Sequence, residues 1–194
     1  MKYVSIDIET TGLNPDACQI LEFGAVIDDL SNPKPLNELP SFHCYIDHMQ
    51  FNMIRGEPYA LSMHSEIFKR IAERDRDRYK FCTQDALGEN FRNFVEYNKA
   101  YMPITVAGKN FSGFDLRFLR RLPNWENLIK IHHRVIDPAI LFWDEADQKL
   151  PDTKECKVRA GIAGEVAHTA IADCLDVIQL VRYGLRTDNA ADNC

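Results

Sequence analysis

Residues 2–8 (KYVSIDI) alternate, with Val4, Ile6 and Ile8 on one side of an extended chain and Tyr3, Ser5 and Asp7 on the other. A period of two commits this stretch to a strand, so the fold must offer a sheet on which Val4, Ile6 and Ile8 can be covered. Residues 19–27 (QILEFGAVI) and 42–46 read as two further strands, separated by Asn/Pro/Ser-rich turns at 14–16 and 31–35. Three successive strands with short links predict an antiparallel meander.

Helical spacing then takes over, at 60–71 and at 85–97, where Leu87, Phe91, Phe94 and Val95 share a side. The mixed-sign run ERDRDRYK at 73–80 reads as a solvated helix end and loop. Beyond it come a short apolar strand at 104–107, a helix at 114–122 and a strand at 134–136. A helix with Pro138 in its first turn follows over 138–144. A long amphipathic helix at 169–183 closes the order, carrying Ile171, Leu175, Ile178 and Val181, and residues 185–194 (LRTDNAADNC) read as a frayed polar tail. The pattern predicts an α/β domain over 1–184, in which a three-strand meander and two further strands form a mixed sheet with helices packed on it.

At 194 residues and 45% hydrophobic, the chain can bury one core. No apolar run approaches the roughly 18 residues of a membrane span, and Met1-Lys2 leads into strand-like sequence without a signal-like segment, so a soluble, cytoplasmic protein is expected. The six cysteines lack a C-x-x-C pair, which suits reduced thiols and argues against zinc. A net charge of -6 argues against bulk electrostatic capture of long duplex nucleic acid, yet permits an enzyme that grips a few nucleotides. Neither G-x-x-x-x-G-K-[ST] nor a strand-linked G-x-G-x-x-G occurs, which excludes the common phosphate-binding loops.

Three places could carry chemistry. In Asp7-Ile8-Glu9-Thr10-Thr11-Gly12-Leu13 the two carboxylates share a strand face just before a glycine turn, where ligand sites of α/β sheets collect. Alone, the pair is equally a wet strand face. In GKNFSGFDLRFL (108–119), Asp115 sits beside the Phe114, Phe118, Leu122 stripe, but Ser112-x-x-Asp115 also fits a capping box. In HTAIADC (168–174), five helical residues turn through about 140°, so His168 and Asp173 can converge only if Thr169 caps the helix and His168 lies on the preceding loop. An Asp there could equally just answer the helix dipole.

Taken together, DIETTGL, QILEFGAV, NFSGFD after a strand and H-x-x-x-x-D near the end resemble the DEDDh (DnaQ-like) 3′-to-5′ exonuclease superfamily, which includes polymerase proofreading subunits, oligoribonuclease and ribonuclease T. The resemblance runs from about residue 3 to residue 183. It implies a ribonuclease H-like fold, with Asp7, Glu9, Asp115 and Asp173 as metal-binding carboxylates and His168 as general base. It implies two Mg²⁺ or Mn²⁺ ions, in keeping with hard oxygen donors. Asp7 would bridge the ions, Glu9 and Asp173 would share the remaining coordination, and Asp115 would act through water. Thr10, Thr11, Gly12 and Leu13 would line the groove for the terminal nucleotide, with His64 and Asn110 as further substrate contacts. Glu22 matches a position near the site and Asp137 a structural one. Many relatives carry His-Asn where this chain has Lys109-Asn110. The basic set Arg117, Arg120 and Arg121 could face phosphate, a partner subunit or solvent.

The function so implied is removal of nucleotides from single-stranded 3′ ends, with DNA as the expected substrate and roles in proofreading or repair. A ribonuclease of the same mechanism is the alternative, and a binding module that has lost the chemistry a second. A homodimer or an association with a polymerase would both be compatible.

Overall fold

The computed structural model describes residues 1–48, 53–164 and 169–191, with side chains as far as Leu185 in the last segment. The strands are β1 (Lys2–Thr10), β2 (Ile20–Asp29), β3 (Ser41–Ile46), β4 (Phe81–Cys82) and β5 (Val106–Ala107). They form one sheet in the order β4-β3-β2-β1-β5. β1, β2 and β3 make the expected antiparallel meander, while β5 runs parallel to β1 and β4 parallel to β3. The mixed α/β architecture is the one expected.

One of the two added strands differs. Residues 134–136 contribute only a bridge, from Ile136 to Ala107, and the fifth strand is β4 at the opposite edge. A two-residue strand that follows directly on a charged run shows no period that sequence could reveal.

Seven helices occur among the described residues, of which α2, α3 and α7 pack on the sheet. α1 (Pro58–Met63) and α2 (Ser65–Glu73) occupy the stretch predicted as a single helix, which is broken at His64. α3 (Gln84–Tyr97) is capped by Thr83, whose hydroxyl accepts from the Ala86 N–H, and buries Leu87, Phe91 and Val95. α4 (Asp115–Leu119), α5 (Trp125–Leu128), α6 (Thr153–Arg159) and α7 (Ala170–Ala191) follow. Residues 138–142 form a 3₁₀ turn capped by Asp137. α7 continues past the predicted end at Tyr183, so the backbone of 185–191 is helical and not frayed. Among the described residues no helix is long and apolar enough to cross a membrane.

β1 is buried on both faces. Val4, Ile6 and Ile8 join the main core with Phe23, Phe91 and Trp125, whose rings stack on the α3 side. Tyr3, on the other face, packs with Val26, Cys174, Ile178 and Val181 beneath α7. α7 is tied down at depth: Arg182 donates through Nε and Nη2 to the two oxygens of buried Asp28, at 2.9 and 2.5 Å, and the Tyr3 hydroxyl donates to the same carboxylate.

Close approach at the start of α7 requires glycine. A Cβ on Gly24 would lie 2.6 Å from the Ala170 carbonyl carbon. Gly24 is also the β2 partner of Asp7. The same residue therefore lets the helix bearing Asp173 settle directly over the strand bearing Asp7.

Candidate active site

Asp7 and Glu9 project from β1 toward α7, where Asp173 lies in the opening helical turn and its N–H donates to the Thr169 carbonyl at 3.0 Å. One carboxylate oxygen from each of Asp7, Glu9 and Asp173 lies within 4.8 Å of the others. The register of β1 against β2 shifts between Glu9 and Thr10, so the chain turns away immediately after the second carboxylate.

Asp115 joins them for a reason rooted in the ladder. On the β5 side, the Val4 N–H donates to Thr105, but β5 ends at Ala107 and leaves the next outward amides of β1 without a strand partner. The Asp115 Oδ1 accepts the Ile8 N–H at 3.1 Å. The Ser112 capping box does not form: α4 begins at Asp115, and the residue before it, Phe114, caps nothing with its side chain. Asp115 is thus bound to the strand that carries Asp7 and Glu9.

Electrostatically, the cluster is costly. Burial, followed by repulsion from Asp115, Glu9, Asp173 and Glu22, holds the Asp7 carboxyl well above the usual carboxylate range. Burial, then Asp173, Glu22 and Asp115, pushes Glu9 up to about 8. Burial likewise takes Asp115 to about 7, against the opposing pull of its backbone hydrogen bonds. Glu22, opposite Glu9, accepts from or shares a proton with His43 Nε2 at 2.5 Å through one oxygen, while its buried Oε2 has no partner. Converging carboxylates that repel one another, together with an orphaned buried oxygen, fit divalent cations held by hard oxygen donors.

These shifts set the pH dependence of stability. A carboxyl whose folded pKa is raised holds its proton longer in the folded state than in the unfolded one, so its contribution to stability is complete below about pH 4 and is lost as pH rises through the folded value. Metal-free protein should therefore melt at lower temperature as pH rises toward and past about 8, the value for Glu9. A divalent cation at about 100 times its Kd should restore about 5–10 °C, with the larger shift at the higher pH because fewer protons compete. Melting curves with chelator and with Mn²⁺, at about pH 6 and about pH 8.5, check this. A shift of equal size at both pH values, or none, would contradict it.

The carboxylates open into a cavity of about 310 Å³ lined by Asp7, Glu9, Leu13, Lys109, Asn110, Asp115 and Asp173, with Phe114, Thr153 and Val177 among the walls. Of the turn residues, only Leu13 reaches it, 70% exposed at the rim. Thr10 and Thr11 are buried and build the turn: the Thr10 hydroxyl donates to the Gly12 carbonyl, and Thr11 Oγ1 accepts the Gln19 N–H. Glu57 Oε1 accepts the Leu13 N–H, and a Cβ on Gly12 would meet the Glu57 side chain at 2.7 Å. His64, at the α1–α2 break, is buried with Nε2 3.4 Å from Glu9 Oε2, behind the carboxylate and not in the cavity wall. His168 lies outside the described residues.

No family model matches the chain. It is 25% identical over 183 residues to an oligoribonuclease of Photobacterium profundum, covering 92% of this chain and 90% of that protein. Its fold matches Escherichia coli Exonuclease I in complex with a dT13 oligonucleotide at a TM-score of 0.62 and 18% identity, over 98% of this chain and 42% of that one. It also matches cell-death related nuclease 4 at a TM-score of 0.63 and 16% identity, over 96% of this chain and 64% of that one. In sequence the chain is similar to that oligoribonuclease, and in fold it is like these nucleases. Among these relatives it spans about two fifths of the Exonuclease I chain and nearly all of the oligoribonuclease.

Within this exonuclease fold, sequence reading overlooked Thr153 and the helix that presents it. α6 is too short to show a clear period, and it is held by Lys157, whose buried Nζ lies 2.9 Å from both oxygens of Asp176 on α7. Asn110 and Asp137 prove to be one unit. Asn110 takes a left-handed conformation (φ 49°), which asparagine tolerates, and its N–H donates to Asp137 Oδ2 at 2.9 Å. Asp137 Oδ1 accepts the Ala139 N–H, so one carboxylate pins the loop before α4 to the 3₁₀ turn. The basic helix face is largely paired away: Arg120 meets Glu126 at 3.0 Å and Arg121 meets Asp16.

Proposed function

We propose that this chain is a metal-dependent exonuclease that releases nucleoside 5′-monophosphates from single-stranded 3′ ends. The observation that carries this reading is the convergence of Asp7, Glu9 and Asp173 within 4.8 Å, with Asp115 hydrogen-bonded to the same strand, in an open cavity. Asp7, Glu9, Asp115 and Asp173 would hold two divalent cations, Mg²⁺ or Mn²⁺. When bound, such ions stabilise the charge that builds on the attacked phosphate and the leaving 3′ oxygen.

The chain's own groups divide the remaining work. Asp7, grouped with Glu9 and Asp173 and repelled by Asp115, would share in holding the ions. His64, against Glu9, keeps that carboxylate turned toward the cavity. Leu13, standing exposed on a turn locked by Glu57, packs against the terminal base. His168, the residue before Thr169, accepts the proton of the attacking water as the P–O3′ bond breaks.

DNA is the first substrate to test, since the Exonuclease I structure holds a deoxythymidine oligonucleotide. RNA is the second reading, favoured by the oligoribonuclease relative that the chain matches almost end to end. The experiment is incubation of the protein with 5′-labelled single-stranded DNA and matched RNA, with Mg²⁺, Mn²⁺ or chelator. A metal-dependent ladder shortening from the 3′ end is expected, and the faster strand names the sugar. Absence of degradation of both strands under either metal would overturn the proposal in favour of a binding module.

A further inference from the structure

The cavity that gathers the carboxylates contains one side chain of opposite sign, Lys109, the only cation among its described lining residues. It stands where the sequence departs from the His-Asn pair of many relatives. Its positive charge is felt by Asp115 at the start of α4 and by Asp152 at the start of α6. Lys109 is exposed, and its Nζ makes no hydrogen bond or ion pair among the described residues. By contrast, Arg120 and Arg121 on the next helix are already neutralised by Glu126 and Asp16.

The backbone that presents this lysine is not free to wander. Asn110, its neighbour, is held in the left-handed region, with its N–H on Asp137. A Cβ on Gly113 would lie 2.3 Å from Asn110 Oδ1, so the loop folds tightly on itself. Gly108, on the other side, donates its N–H to the Ile136 carbonyl at 3.0 Å, and a Cβ there would press on the Ile6 carbonyl. Lys109 is a flexible cation on a fixed base.

We propose that Lys109 grips the scissile phosphate as a substrate-contacting residue. The proposal rests on the exonuclease reading above. Four carboxylates and two divalent cations cancel in charge, so a loaded site is neutral and the phosphodiester's own charge is left without an answer. Hydrolysis adds to that charge as water attacks, and an ammonium in the cavity wall stabilises it most at the transition state.

The test is steady-state hydrolysis of a 5′-labelled single-stranded oligonucleotide by the full chain, measured over a salt series for wild type, Lys109→Met, Lys109→Gln and Lys109→Arg. Loss of one charged contact should lower kcat/KM of the Met and Gln variants about 10- to 100-fold. The slope of log(kcat/KM) against log[salt] should become shallower by about 0.7, the value for one phosphate contact to a single strand. Lys109→Arg should keep the slope, and the Mn²⁺ concentration for half-maximal activity should not move in any variant. Because the side chain is exposed, melting temperatures should match wild type. Wild-type inactivity on all strands overturns the exonuclease reading itself. An active wild type with unchanged kcat/KM and slope in both neutral variants overturns the assignment of Lys109 alone, as does a shifted Mn²⁺ requirement with an unchanged slope.

Discussion

Asp7→Asn is expected to abolish nuclease activity, lowering turnover by roughly a thousandfold or more, while making the metal-free protein more stable. Both effects follow from one location. The Asp7 carboxylate is half-buried at the cavity floor and is repelled by Asp115, Glu9, Asp173 and Glu22, all of which raise its pKa. Asparagine has nearly the same shape, so the register with Gly24 and the packing of Ala170 are undisturbed. What disappears is the charge that would bridge two cations, and with it one anion from a set of mutually repelling anions. The variant should melt higher than wild type in chelator above about pH 7, where Asp115 ionises, and should gain less from Mn²⁺. Nuclease assays and paired melts check this. A variant that keeps its rate, or one that melts well below wild type in chelator, would show that Asp7 serves packing and not catalysis.

The two parts of this site were legible in the sequence to different degrees. Val4, Ile6 and Ile8 announced a strand, and the Asp7/Glu9 spacing placed both carboxylates on one face. The alternative of a merely wet face fails, since Tyr3 and Ser5 on that face are fully buried beneath α7. Alternation reports that one face is apolar and says nothing of what covers the other. Asp115 could not be resolved locally, because Ser112-x-x-Asp115 satisfies a capping box on paper. The deciding partner is the Ile8 amide, more than a hundred residues away, exposed by the early end of β5. Gly24 is a similar case. Within QILEFGAVI it reads as a weak point in a strand, and only the position of Ala170 shows it to be the contact that lets α7 approach. β4 and α6 were missed because two residues and seven residues carry too little period to read. Long-range closure, not local propensity, assembles the cluster, and a single sequence does not display it.

His168→Ala is expected to cut turnover by about 10²- to 10⁴-fold while leaving the metal-induced rise in melting temperature intact. The case is chemical. The carboxylates that would hold cations have raised pKa values, and an anion engaged by a divalent ion is a poor proton acceptor, so the attacking water would need a separate base. Imidazole ionises near neutrality and can take that proton at working pH. In the sequence His168 immediately precedes Thr169, whose carbonyl accepts the Asp173 N–H at the start of α7. The described histidines near the cluster, His64 against Glu9 and His43 against Glu22, do not line the cavity. The separation of effects is what discriminates: a base affects the rate and spares cation binding, whereas a ligand affects both. Turnover within about twofold of wild type would remove His168 from the mechanism. A loss of rate accompanied by loss of the Mn²⁺ melting shift would reassign it as a ligand, and the proton would then need another acceptor than any described side chain lining the cavity.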